Sequence, residues 1–232
     1  MLIGGKLLPE QSVITPSTTL ILFDHDGTLV DSEAVHFSLW KSLLDNYGIA
    51  LSESLHNEML VGMPVAQNAI DVTRHFSLSA KPEDIAAQKH QLTRDYLKNR
   101  AFPLIEDARQ AIIRCHQAGY QLGIVTGGSQ LSVEQTMQHH HLRKYISLTV
   151  SVEDVEHSKP HPESYHKALA IAGLSAGQAA AVEDTMHGMK AAVAAGIRCA
   201  VIPTAQSAAH DFSAAQASYP SLTKWLDNEL AT

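Results

Sequence analysis

Thr19-Leu20-Ile21-Leu22-Phe23-Asp24-His25-Asp26-Gly27-Thr28 decides the fold. The apolar run does not alternate with polar residues, and it stops abruptly at Asp24. A strand with no polar face is covered on both sides, as in a parallel sheet. The pattern recurs. Leu122 to Val125 stops at Thr126-Gly127-Gly128, Ala179 to Val182 at Glu183-Asp184-Thr185, and Cys199 to Ile202 at Pro203. Ile146 to Val150, ending near Ser151, is a further candidate strand.

Helical stretches lie between these runs. Ala108 to Ala118 precedes Gly119, a helix stop. Ser129 opens a helix to His139, and Ser is a good cap. Pro162 opens the next, which closes at Gly173. His187 to Ala195 ends at Gly196. This alternation predicts an α/β fold, a doubly wound (Rossmann-like) parallel sheet. Ligands of such sheets bind at the carboxyl ends of the strands, where every polar cluster just named falls.

From Ser32 to about Arg100 the rhythm breaks. Val35, Leu39, Leu43 and Tyr47 recur at helical spacing, and Gly48 closes that run. Helical patterns over 52–60, 65–76 and 82–97 follow, with Gly62-Met63-Pro64 as a breaker. The expected organisation is an α/β core over 1–31 and 101–232 and an inserted all-helical cap over 32–100. The stretch from Ala205 to Ser218, rich in Ala, Ser and Gln, is expected to be a loosely held surface segment.

Composition narrows the classes. The chain has 232 residues, 45% of them hydrophobic, with a net charge of −7. That is enough apolar material for a packed core, and too acidic for a general affinity for nucleic acid or an anionic membrane. Cys115 and Cys199 read as buried free thiols. No apolar run reaches the length of a membrane span, and the first residues do not resemble a signal peptide. A cytoplasmic protein, monomeric or weakly dimeric, is the expectation. His139-His140-His141 sits in an apparent helix, where consecutive side chains point apart, so a solvated run is expected.

Asp24 and Asp26 are two carboxylates at the end of a buried strand. Buried carboxylates need a cation or hydrogen bonds. Mg²⁺ favours few carboxylates, several waters and a phosphate oxygen. Gly27 lets the chain turn sharply and brings backbone N–H groups near an anion.

The string Asp24 to Ser32 resembles motif one of the haloacid dehalogenase-like hydrolase superfamily, which is mainly phosphatases. Thr126 after Gly123-Ile124-Val125 resembles motif two, and Lys159 in Ser158-Lys159-Pro160-His161-Pro162 motif three. Glu183-Asp184-Thr185, followed by Gly188 and Ala191-Ala192, resembles motif four. The resemblance spans nearly the whole chain. It implies that Asp24 attacks phosphorus and forms an aspartyl phosphate, and that Asp26 protonates the leaving alkoxide and then deprotonates water. Thr126 and Lys159 would hold the transferring oxygens, with Gly127 and the backbone N–H groups of His25 and Asp26 completing the phosphate cradle. Mg²⁺ would bind the Asp24 and Asp184 carboxylates and the Asp26 carbonyl, with Glu183 acting through a water. Asp31, Ser32 and Thr185 are read as turn or helix-cap residues.

The helical insertion resembles the family's cap, which closes over the site and chooses the substrate. His36 and Trp40 resemble the β-phosphoglucomutase branch, in which the His helps position the counterpart of Asp26 and the cap hinge. A mutase also needs a cap cation near Gly62 for a second phosphate, and Met63 to Asn68 supplies none. Arg74, Lys81 and Lys89 are off the pattern. His56, Asn57, Gln67, Asn68 and Arg74 are the polar residues the cap offers. The resemblance thus implies a Mg²⁺-dependent phosphomonoester hydrolase acting on a small phosphorylated metabolite, with a sugar phosphate as the expected class. A phosphosugar mutase is the alternative.

Overall fold

The computed structural model of the protein describes residues 2–3, 6–7, 12–61 and 63–230. Gly62, read above as a cap residue, lies outside them. The chain runs β1 (Leu2–Ile3), β2 (Lys6–Leu7), β3 (Leu20–Phe23), α1 (Glu33–Asp45), α2 (Glu53–Met59), α3 (Val65–His75), α4 (Pro82–Leu97) and α5 (Ala108–Gln117). It continues with β4 (Gln121–Val125), α6 (Gln130–His139), β5 (Leu148–Val150), α7 (Glu163–Ala172), β6 (Ala179–Glu183), α8 (Met186–Ala194), β7 (Arg198–Val201), β8 (Ala217–Ser218) and α9 (Leu222–Glu229). It divides into two compact units, Met1–Val30 with Pro103–Thr232, and Asp31–Phe102.

The first unit is built on a six-stranded sheet in the order β5-β4-β3-β6-β7-β8, with every neighbouring pair parallel. The chain leaves β3 toward β4 and β5, then returns to the other side of β3 with β6. This reversal is the switch point at which doubly wound sheets bind ligands. β1 and β2 form a separate antiparallel pair.

Strand period explains the two layers. Leu20 and Leu22 point into a core shared with Tyr165, Ala168 and Leu169 of α7 and Met189, Ala191 and Ala192 of α8. Ile21 and Phe23 point the other way, and the Phe23 ring meets Trp225 of α9 edge-on at 5.8 Å. All four β3 residues are fully buried. Gly173 ends α7 in the left-handed region, φ 67°, which costs glycine little. Cys115 and Cys199 are buried and free.

The 205–218 stretch is not merely loose: β8 pairs with β7 at the sheet edge, and the buried Ser207 hydroxyl accepts from Thr204 N at 2.9 Å. The sequence pattern leaves α9 unmarked, since it is short and only Leu222, Trp225 and Leu226 form its apolar face. Ser32 takes the N-cap position of α1 as expected, but in helical geometry and with no side-chain capping hydrogen bond among the described residues. His139 ends α6, His140 caps it, and His141 has φ 54°, so the run leaves the helix. No group of three metal-ligand side chains forms around it among the described residues.

The second unit holds α1 to α4 around its own core of Trp40, Leu43, Leu44, Leu51, Leu60, Ala69, Val72 and Ile85. Two of the polar residues that the cap offers serve this packing. His56 is buried against Phe37, and the buried Asn68 donates to the Leu60 carbonyl at 2.9 Å. No described helix is long and apolar enough to cross a membrane.

Candidate active site

Strand register brings the motifs together. Phe23 pairs with Ile124 on one side and Val182 on the other. One residue further on, Asp24 stands level with Val125 and Glu183, the last residues of β4 and β6. The Asp24 N–H donates to the Val182 carbonyl at 2.9 Å. The chain then folds into a tight loop, in which Gly27 N donates to Val30 O at 2.8 Å and Val30 N to His25 O at 3.0 Å. Gly27 has φ 82°, and a Cβ there would lie 2.1 Å from Asp184 Oδ2. Only glycine fits beside that carboxylate.

Lys159 is the hub. Its Nζ donates to Asp24 Oδ1 at 2.6 Å, Glu183 Oε1 at 2.6 Å and the Val125 carbonyl at 2.8 Å. One ammonium thus ties together the ends of β3, β4 and β6. Tyr165 of α7 donates to the same Glu183 oxygen at 2.5 Å. Thr126 Oγ1 donates to Asp26 Oδ2 at 3.3 Å and accepts from Gly128 N at 2.8 Å. A Cβ on Gly128 would sit 2.7 Å from that Asp26 oxygen. The Asp26 side chain remains 32% exposed, so it can exchange protons with solvent. No Cβ clash would arise at Gly127.

Charge is unevenly distributed. Asp24, Glu183 and Asp184 are buried, with ligand oxygens within 4.8 Å of one another. Burial opposes the charge on Lys159, but the carboxylates of Asp24 and Glu183 outweigh it and hold the ammonium above its usual range. The carboxylates fare worse. Burial pushes Asp24 up, against the pull of Lys159. Burial, then repulsion from Asp24 and Glu183, pushes Asp184 far up. Burial likewise raises Glu183. Glu183 Oε2 and Asp184 Oδ1 are buried without a hydrogen-bond partner among the described residues. Three buried carboxylates against one ammonium leave surplus negative charge and idle oxygens. An all-oxygen donor set of this kind fits a hard divalent cation.

Several contacts escape a reading of the sequence. Tyr165 sits in an ordinary helical pattern. Glu183, expected to act through a water, also pairs directly with Lys159. His25, expected to contribute a backbone N–H, is fully buried. Its ring lies between Asp26 Oδ2 at 3.2 Å (Nδ1) and Thr136 Oγ1 of α6 at 3.0 Å (Nε2). Thr185 caps α8 as expected, accepting from Gly188 N. A Cβ at Gly188 would meet Glu183 Oε2 at 1.8 Å, a clash no spacing rule announces.

In the second unit, His36 Nδ1 accepts from Lys89 Nζ at 3.2 Å, and the His36 ring meets Phe102 edge-on at 5.3 Å. Lys89 is buried, donates to Thr93 Oγ1 at 3.0 Å, and lies 5.6 Å from the Trp40 ring centre. Arg74 is exposed beside Asp71.

A doubly wound α/β protein with an acid-rich, lysine-centred cluster at its sheet switch point is a recognisable class. The sequence model described as haloacid dehalogenase-like hydrolase matches residues 21–202, and the chain belongs to that family. Fructose-1-phosphate phosphatase YqaB of Escherichia coli is 26% identical over 178 residues, covering 76% of this chain and 92% of the relative. The phosphorylated carbohydrates phosphatase of Thermotoga maritima is 25% identical, over 76% of this chain and 81% of its own. The fold matches CbbY from Rhodobacter sphaeroides in complex with phosphate, with TM-score 0.75, 24% identity, and coverage of 89% of this chain and 96% of that one.

Proposed function

We propose that the protein is a Mg²⁺-dependent phosphomonoester hydrolase working through an aspartyl phosphate on Asp24. The observation that carries this is the buried Asp24 carboxylate, held by Lys159 at 2.6 Å and grouped with Glu183 and Asp184. The Asp24 oxygen that Lys159 does not engage attacks phosphorus while the bond to the leaving oxygen breaks. Asp26 gives its proton to that oxygen. It next takes a proton from a water that attacks the phosphoryl group, and inorganic phosphate leaves as Asp24 is regenerated. Lys159 and the Thr126 hydroxyl offset charge on the transferring oxygens, with Gly127 and the N–H groups of His25 and Asp26 around them. Asp24, Asp184 and the Asp26 carbonyl would hold Mg²⁺, with Glu183 acting through a water. Bound there, the ion would offset phosphoryl charge and the surplus charge of the carboxylates.

The substrate proposed is a small phosphorylated metabolite of the sugar phosphate class, which the substrates named for the two phosphatase relatives support. The enzyme is proposed to be cytoplasmic, and monomeric or weakly dimeric. A mutase would need a free cation for a second phosphate, and 63–68 holds none while Lys89 is buried. Purified protein should release phosphate from an aryl phosphate and from sugar phosphates with Mg²⁺, and stop with EDTA. Folded protein that turns over no phosphate ester under either condition would refute the reading. Conversion of a sugar 1-phosphate to its 6-phosphate without phosphate release would favour the mutase.

A further inference from the structure

The loop carrying Lys159 is bracketed by His157 and His161, and both converge on Glu163 at the start of α7. One ligand atom from each of the three lies within 4.8 Å of the others. Nδ1 of His157 is 2.9 Å from Glu163 Oε2, and Nδ1 of His161 is 3.8 Å from the same oxygen. In a tetrahedral site with zinc–ligand bonds of about 2.0–2.1 Å, neighbouring ligand atoms stand roughly 3.3 Å apart. The two distances straddle that spacing. The His rings lie 4.7 Å apart.

The carboxylate is preset. Glu163 Oε1 accepts from Glu156 N at 2.8 Å, and Oε2 from His157 N at 3.0 Å. Outer hydrogen bonds of this kind orient a ligand before the metal arrives. The His157 and His161 side chains are 63% and 53% exposed, which gives an ion a path in and leaves a coordination position open.

We propose that His157, His161 and Glu163 form a second metal site, for a divalent transition ion of the zinc type, and that filling it restrains Lys159. Imidazole nitrogens select zinc-like ions over Mg²⁺, whereas the all-oxygen cluster of Asp24 and Asp184 does the reverse. Binding displaces any proton on the two Nδ1 atoms and breaks no covalent bond. His157 and His161 each stand two residues from Lys159, so pulling both rings onto one ion resets the loop that delivers Nζ to Asp24. A shift of about 1 Å in a catalytic group costs roughly 10²-fold in rate. The binding half stands alone, whereas the restraint rests on the catalytic reading of Lys159.

Untagged Asp184→Asn protein, with its oxygen cluster weakened, is titrated with Zn²⁺ by calorimetry beside the same protein also carrying His157→Ala and His161→Ala. One equivalent of Zn²⁺ should vanish in the latter. Unchanged stoichiometry and affinity would overturn the site. In parallel, Zn²⁺ is added to the otherwise wild-type enzyme in saturating Mg²⁺. Turnover should fall at least about tenfold, and His157→Ala/His161→Ala should escape. Lost binding with persisting inhibition would overturn the restraint on Lys159. An enzyme without any turnover would count against the phosphatase reading, and calorimetry would still judge the site.

Discussion

Lys159 in the α/β unit and Lys89 in the helical unit are both buried, yet their surroundings drive them in opposite directions. Lys159 meets two carboxylates at 2.6 Å and is held charged. Lys89 meets a His ring nitrogen, a Thr hydroxyl and the Trp40 ring. Burial pulls it down to about 8, and Glu33 does not restore it. Burial alone favours the neutral amine; a carboxylate in contact reverses the outcome. Lys159 therefore keeps the charge that the proposed phosphoryl transfer needs, while burial makes the charge on Lys89 costly.

Removing a carboxylate from the charged lysine gives the largest effect. Asp24→Asn should lower kcat roughly 10⁴-fold or more, as expected when a nucleophile is lost. Lys159 still has Glu183, so the circular dichroism spectrum should stay native. A variant retaining a tenth of the wild-type rate would break the contrast.

Removing the charged lysine itself comes next. Lys159→Met should cut kcat by about 10³-fold. It should also cost about 3–5 kcal/mol in urea denaturation, because a buried ion pair loses one member. Unchanged stability would mean that the carboxylates do not need the ammonium.

Lys89, which carries its charge at a cost, should behave the other way. Lys89→Met should stabilise the protein by about 1–3 kcal/mol at pH 7, offset partly by the lost contacts to Thr93 and His36. The pH dependence has a definite sign. Below about 8 both folded and unfolded chains hold the proton, and the full penalty stands. Between about 8 and the ordinary 10.5 only the unfolded chain keeps it, so wild-type stability rises with pH relative to the variant. The gap between the two should close by about 3 kcal/mol at most across that window. A constant gap would show that Lys89 carries a normal charge.

The smallest effect sharpens the contrast through histidine. His25 faces a carboxylate, whereas His36 faces an amine. His25→Asn can still place a donor where Nδ1 stands, while His25→Gln reaches toward Thr136 instead. His25→Gln should lose about tenfold in kcat with KM unchanged, and His25→Asn should recover most of it. Equal losses in both would leave His25 only a packing role.

The sequence shows these sites unequally. An apolar run halted by Asp24, Thr126 or Glu183 marks a strand end, and the strand ends carry the cluster, so much of it was legible. Thr185 and Ser129 were legible as caps because capping is local. Tyr165 was not, because its hydroxyl reaches Glu183 only once α7 packs on the sheet. Gly188 likewise gained meaning only when its missing Cβ was seen to make room for Glu183. β8 and α9 are not legible, because two strand residues and one short apolar face leave little periodicity. Which of the cap's polar residues are buried, as Asn68 and His56 are, is not legible, since nothing local shows that a polar side chain is buried.

The most direct test traps the phosphoryl group. Asp26→Ala protein is mixed with Mg²⁺ and an aryl phosphate, whose leaving group needs no proton, then quenched in acid and digested for mass spectrometry. One phosphoryl group should appear on the peptide containing Asp24 and disappear when Asp24→Asn is added. A phosphoryl group on another residue, or steady phosphate release from the Asp24→Asn enzyme, would contradict the account.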